Sequence, residues 1–527
     1  MAELSRRGVL TYGAVVGGSV ALGGALAACG SDEDSGGSDP NAKAAPKDQK
    51  RGGTLTVGAA GAGSADSLDA YVNPQATAAR ARGQAIYEAL FQFTPEFEIE
   101  GALAESIEAS DAGDQWTLRL RDGMEWHNGK SITVDDIVFS FERILDPEIA
   151  APGATRLKSL RIQRMRKLDP LTLRFELAAP NRLLRDICRP NLLYMVPTGY
   201  DPRKPVGSGP FRLESFTPGQ ESVFSRFANY HGEPAFLDEV RVVNYDDDAA
   251  RINALLSGQV DAIAGVPYGQ AKVIEGSGDH ELLVSQGSAW RPIAMRVDVE
   301  PFSDKRVREA IRLLADREQM VKQALNGYGR VGNDLYGGAD PFYNDEIPQR
   351  EHDPEKARSL LRAAGLEGGE VTLTTSPVAA GVIEASQVLA ENAREAGLTI
   401  KLKKVDQETF YGDRYLQWPF TVDFYPNGPF LTQVASTDGP GSPYNQTHFD
   451  DDEYNDLYAR AIAEPDDDKV RDLVHRMQEI QHERGGYLVW GFAYGLAAHS
   501  KDVTGFISPD KRGEDFNDFE WRRASFV

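Results

Sequence analysis

Two hydrophobic periods alternate along the chain. A period of two marks strands. Thr54-Leu55-Thr56-Val57 opens the series, Trp116–Leu120 follows, and Leu171, Leu173, Phe175 and Leu177 set four apolar side chains on one face of segment 171–177. Val371–Thr375 and Thr399–Val405 read the same way, the second with Ile400 and Leu402 on a common face. A period of 3.6 marks helices between them. Ser303 is placed to cap a helix whose apolar positions Val307, Ala310, Ile311 and Leu314 fall at i, i+3, i+4 and i+7. Asp316 with Gln319 reads as a capping box that restarts the helix, and Gly327 ends it. Asp353 before Pro354 predicts a cap and first turn, with Gly365 as the stop. Tyr454–Ala463 and Lys469–Arg484 are further helices. The interleaving, without an internal repeat, predicts a mixed α/β or α+β body.

The N-terminus departs from this pattern. Arg6 and Arg7 precede an uncharged stretch, Gly8–Ala28, which closes on Leu26-Ala27-Ala28-Cys29. A basic start, an apolar run and small residues before a cut predict a signal peptide over 1–28. The last four residues resemble the bacterial lipobox, which implies lipidation of Cys29. A spanning anchor is the alternative, but Gly13, Gly17, Gly18, Gly23 and Gly24 crowd the stretch and no stop-transfer cluster follows. Ser5-Arg6-Arg7 also resembles a twin-arginine signal without its usual Phe and Lys, so export by Sec or Tat stays open. Residues 29–50 are too polar to fold and read as a tether that holds the body off the membrane.

Composition narrows the function. Of 527 residues, 80 are acidic and 57 basic, a net charge of −23 that repels nucleic-acid phosphates and favours cationic or zwitterionic ligands. Two cysteines, Cys29 and Cys188, build no disulfide framework or zinc ribbon, and Cys188 reads as a small core residue. Motifs of catalysis fail on inspection. Gly327-Tyr328-Gly329-Arg330-Val331-Gly332 has dinucleotide-binding spacing but follows a helix rather than a strand. Gly207-Ser208-Gly209-Pro210 lacks the spacing of a nucleophile elbow. His482-Glu483 lacks a second His, Gly486 standing in its place. The acidic runs 450–453 and 466–468 lack the pattern of a calcium loop and precede helices, where they complement the dipole. No metal or cofactor is expected.

Several segments, in order, resemble one family. They are Arg51–Val57, Ile86–Leu90, Leu103–Ser106, Leu118-Arg119-Leu120-Arg121-Asp122-Gly123-Met124-Glu125-Trp126-His127-Asn128-Gly129-Lys130, Pro205–Phe211, Asn253–Asp261 and Pro301–Ala310. The resemblance is to the family 5 extracellular solute-binding proteins of the oligopeptide, dipeptide and nickel type. It implies a two-lobed, type II periplasmic-binding-protein-like α/β fold with an inserted domain, closing a cleft about a hinge. The first lobe would comprise 51–95, 205–295 and 495–527, the insert 96–204 and the second lobe 296–494. It implies a monomeric lipoprotein on the outer face of the cell membrane that hands a peptide or other small solute to ABC permease subunits and does no chemistry on it. Trp126 and His127 read as scaffold.

The resemblance also points to ligand contacts. Peptide-binding members pair the solute's ammonium with an Asp in the second lobe, shortly after a Trp-containing segment. Trp418-Pro419-Phe420-Thr421-Val422-Asp423-Phe424-Tyr425 occupies that region, so Asp423 is the first candidate. Trp418 and Tyr425 are candidate walls or core aromatics. Tyr71 and Asn73, after the first strand, and Trp290, near a hinge crossing, complete the set. The rival readings are a sensing lipoprotein of the same fold and a secreted hydrolase; the second lacks a nucleophile–base set.

Overall fold

In the computed structural model the described residues are 49–527, apart from 62, 64, 65, 73–75, 95–97, 111, 158, 159, 185–192 and 507–514. The signal peptide, Cys29, Asn73 and Cys188 therefore lie outside them. Thr54–Ala60 starts an eight-stranded sheet. It pairs in parallel with Glu239–Tyr245 on one side and Ala262–Ile263 on the other, and its alternate residues Leu55, Val57 and Ala59 are buried. Glu221–Arg226 and Phe211–Thr217 extend one flank antiparallel. On the other, Gly491–Ser500 pairs with Ala262–Ile263 and carries both the long strand His280–Trp290 and the short Gly329–Val331.

A second sheet runs Thr399–Lys404, Glu370–Thr375, Phe420–Val422, Ile293–Met295, Tyr487–Leu488. The chain passes directly from the first sheet to the second at 290–293 and returns at 488–491. A third, antiparallel sheet is built from Ala104–Ala109, Gln115–Leu120, Thr172–Glu176 and Arg166–Asp169, between the first strand and Phe211. Leu173, Phe175 and Leu177 are buried on it as the alternation requires.

The helices follow the caps with one departure, and one strand residue departs from its expected burial. The helix Lys305–Leu313 is capped by Asp304, whose carboxylate accepts from Arg306 N, and not by Ser303: an ionised oxygen beats a hydroxyl at a helix N-terminus. Val307, Ala310, Ile311 and Leu314 are buried as expected. Leu402 does not share the burial of Ile400, because Thr399–Lys404 is the edge strand of its sheet and Leu402 lies at the rim. Asp316, Asp353, Asp451 and Asp466 each accept from a backbone N–H of the first turn, so the acidic runs 450–453 and 466–468 supply caps. Asp334, fully buried, is shared by Arg317 and Arg350 at 2.7 Å and Arg312 at 4.0 Å. Burial alone would raise its pKa; the three guanidiniums outweigh it and hold the group at about 2.

The family-like segments meet where the third sheet joins the first. Trp126 is sealed, its Nε1 donating to Asp136 Oδ2 at 3.2 Å, and Asp136 also accepts from Thr198 N. His127 Nδ1 accepts from Gly207 N at 3.4 Å while Nε2 donates to Gly209 O at 2.9 Å. Burial pushes this ring down to about 4, so it is neutral scaffold. Gly207 and Gly209 are required by closeness: a Cβ on either would run into the backbone of Ala85 and Ile86. Arg182, just past this sheet, donates from N to Ile462 O and from Nη1 to Glu464 O, both at 2.8 Å, and pairs with Asp467.

Gly207→Ala should lower stability by about 1–3 kcal/mol, or abolish soluble expression, because the Ile86 carbonyl it meets is backbone and has nowhere to go. Thermal unfolding against the parent checks this, and an unchanged midpoint contradicts the packing described.

Candidate functional site

Trp290 ends the long strand with none of its surface exposed. Its backbone pairs with Phe492 on one side and exchanges two hydrogen bonds with Tyr425 on the other, at 3.0 and 2.8 Å. Its ring stacks between Tyr425, 4.4 Å away at 20°, and Tyr336, 4.8 Å away at 22°, with Tyr487 edge-on at 5.3 Å. Ser288 and Asn427 hydrogen-bond two residues away on each side.

Two residues before Tyr425 stands Asp423, 3% exposed. Its carboxylate accepts from four donors: Phe424 N at 2.8 Å and Tyr411 Oη at 3.3 Å on Oδ1, Tyr415 Oη at 3.1 Å and Gln446 Nε2 on Oδ2. No cation pairs with it among the described residues. Burial pushes its pKa up to about 6, against the lowering effect of those donors. The group is a buried acid supplied with neutral donors but no counter-charge, and a solute cation would complete it.

The rings around this carboxylate divide sharply. Tyr411, Phe424 and Tyr444 are each 40% exposed or more, large aromatic surfaces left facing water. Trp418 is enclosed: Nε1 donates to Phe410 O at 3.2 Å and the guanidinium of Arg414 lies 4.4 Å over the ring. Tyr425 is buried, its hydroxyl donating to Tyr444 O. The structure thus brings Asp423, Tyr425 and Trp290 together around the first crossing, with Trp290 sealed in the stack. Tyr71 is not brought to them by any contact among the described residues; it is buried, its hydroxyl donates to Tyr194 O at 2.9 Å, and Arg143 sits 5.7 Å from its ring. Tyr411, Tyr415, Tyr444 and Gln446 went unnoticed in the sequence. Tyr411 ends the short helix Gln407–Tyr411 and Tyr415 lies in the turn after it, so no helical period links the two in the sequence.

Among the described residues no helix is long and apolar enough to cross a membrane, and no group of three or more His, Cys, Asp or Glu could hold a metal ion.

A family profile described as bacterial extracellular solute-binding proteins, family 5 Middle, matches residues 98–450. The glutathione-binding protein GsiB of Shigella flexneri is 25% identical over 476 residues, 86% of this chain and 92% of its own. The ABC transporter substrate binding protein CtaP from Listeria monocytogenes matches with a TM-score of 0.78 at 19% identity, over 90% of this chain and 100% of that one. The ABC transporter-associated periplasmic binding protein DppA from Helicobacter pylori, solved with the peptide STSA, gives 0.74 at 22%, over 90% and 98%. These likenesses place the fold with the two-lobed, type II periplasmic binding proteins.

The raised pKa of Asp423 has a sign that can be measured. The folded carboxyl keeps its proton to about pH 6, whereas an unfolded one loses it near about pH 4. Stability from this group is fully present below about pH 4 and is lost as pH rises to about 6, a span worth about 3 kcal/mol. Urea denaturation of the parent and of Asp423→Asn should show the parent losing about that much relative to the variant between pH 4 and 7. A difference that stays flat with pH contradicts the burial of the charge.

Proposed function

The chain belongs to the bacterial extracellular solute-binding proteins of family 5, and on that premise we propose that it captures a peptide-like solute carrying an ammonium group and delivers it to an ABC permease. Asp423 is the partner of that ammonium, and its buried, cation-free carboxylate is the observation that carries the reading. Tyr411 yields most readily to the incoming group, since its hydrogen bond is the longest of the four and its ring is exposed. Phe424 and Tyr444 give the neighbouring side chain an apolar surface, while Tyr425 and Trp418 hold the backing. The relatives named above bind glutathione in one case and the peptide STSA in another, which agrees with a zwitterionic solute.

The solute lies between a first lobe of 51–95, 205–295 and 495–527 and a second of 296–494, with 96–204 inserted. The lobes close about the crossings at 290–293 and 488–491 because only the closed form touches the ligand from both sides. No covalent step is part of this function: the work is capture and release. Cys29, lipidated after removal of 1–28, tethers the body to the outer face of the membrane.

Asp423→Ala should weaken binding of an amine-bearing peptide by about 2–5 kcal/mol, read by titration calorimetry, and the parent's affinity should rise as pH increases through about 6 and the carboxylate ionises. Unchanged affinity in the variant removes Asp423 from the site. Cys29→Ser should release the protein from the membrane fraction; retention with Gly8–Ala28 intact favours a spanning anchor.

A further inference from the structure

The third sheet shows one face to solvent, and its charge is opposite in sign to that of the chain. Residues 156–167 hold six basic side chains and no acidic one, in a chain whose net charge is −23. Arg166–Asp169 is the edge strand of this sheet, and Thr172–Glu176 lies inside it. The ladder sets Arg166 directly opposite Arg174 and Arg174 opposite Thr117, with Arg119 one diagonal step on. Leu173 and Phe175 turn to the core, so Arg174 turns to water with Arg166 beside it, and both are exposed. Leu168, in the bulge of the edge strand, keeps 49% of its surface exposed.

Local needs do not account for this face. Like charges directly opposite on a ladder destabilise a sheet. Other exposed strand cations of this protein stand beside acids: Lys401 pairs with Glu370 at 2.7 Å, and Arg241 lies 3.6 Å from Glu221 and 3.8 Å from Glu239. In the third sheet Arg164 pairs with Glu176, Arg119 with Glu105 and Lys167 with Asp135. Asp169 is engaged by Leu171 N at 2.8 Å. Arg161, Arg166 and Arg174 meet no carboxylate within 4.0 Å among the described residues. Charges on an edge strand guard it against pairing with another chain, but Arg174 is on an inner strand, where no edge needs guarding.

We propose that this face rests on a lipid bilayer with anionic headgroups. The inference goes beyond the carrier reading and rests on its membrane tether at Cys29. Charge complementarity decides the occupant, and the bilayer is the surface nearest to a tethered body. The body as a whole is repelled by anionic headgroups, so it turns its cationic face toward them and its acidic remainder away. Arginine forks take phosphate side-on. Leu168 beside such cations matches an interfacial contact, where apolar atoms enter as the headgroup charge is met. Three unpaired cations are too few to hold a protein on a membrane from solution. On a body already tethered they favour the face-down orientation by roughly a hundred-fold at low salt, because the tether has supplied the encounter.

Arginine labelling reads the contact directly. The full-length protein, purified with its anchor, is reconstituted on vesicles of phosphatidylcholine alone or of phosphatidylcholine mixed with phosphatidylglycerol. Phenylglyoxal then modifies exposed arginines, which peptide mass spectrometry identifies. Labelling of Arg164, Arg166 and Arg174 should slow roughly ten-fold or more on the anionic vesicles and return to the phosphatidylcholine rate in about 1 M sodium chloride. Arg394, exposed on the helix Val382–Glu395, should label equally on both. In the double variant Arg166→Gln, Arg174→Gln, which removes only exposed charge, Arg164 should also label equally on both. Equal rates at Arg166 and Arg174 in the parent, slowing that includes Arg394, or slowing of Arg164 that persists in the double variant overturns the proposal. Slowing in native membranes without slowing on anionic vesicles assigns the face to a protein partner and also overturns it. Flotation with phosphatidylcholine vesicles reads the tether separately. A protein that does not float lacks the anchor, and the proposal falls with it; one that floats without slowing loses the face alone.

Discussion

Trp290 has rings on three sides, no water against it, and backbone partners in two directions. Three residues on, the chain is already in the second sheet; where it returns, it passes Tyr487, edge-on to the same indole, and Phe492, its ladder partner. Both direct connections between the large sheets therefore run through one block of close-packed aromatic atoms. Such a block resists sliding, since each ring occupies the space its neighbour leaves. In the first link Pro292 has its φ fixed by its own ring; in the second, Val489 and Trp490 are buried and their carbonyls accept from Asp334 N and Gly332 N.

That rigid block also explains where charge is stored. Asp423 and Asp438 flank the stack, each buried, each supplied with tyrosine hydroxyls and a glutamine amide, and each raised in pKa by burial. Elsewhere the protein neutralises buried charge directly, as at Asp334 with its arginines. The contrast separates carboxylates closed in ion pairs from buried acids that, among the described residues, meet neutral donors instead.

Most of the fold was legible. Alternation placed Leu173, Phe175 and Leu177 on a buried face, and Asp353-Pro354 and Asp316 marked helix starts, because these depend on neighbours in sequence. Ser303 gave way to Asp304 because propensity alone does not weigh a carboxylate against a hydroxyl at one terminus. Leu402 misled because the strand's place at a sheet edge is a tertiary fact. The site was half legible. Asp423 was reached by resemblance, but its side-chain donors Tyr411, Tyr415 and Gln446 lie 12, 8 and 23 residues away on separate turns, and no local period records them.

The four donors on Asp423 have a consequence for the salty water in which such a protein works. A bare carboxylate in an apolar pocket is bait for sodium or calcium, which need several oxygen ligands stripped of competitors. Here an inorganic ion would have to displace up to four hydrogen bonds from neutral groups and then find the remaining ligands among aromatic rings. An alkylammonium needs only one or two acceptors and brings hydrocarbon that suits Phe424 and Tyr444. On the proposed reading, saturating the acid with weak partners would disfavour the abundant mineral cations while leaving an organic one a place to bind.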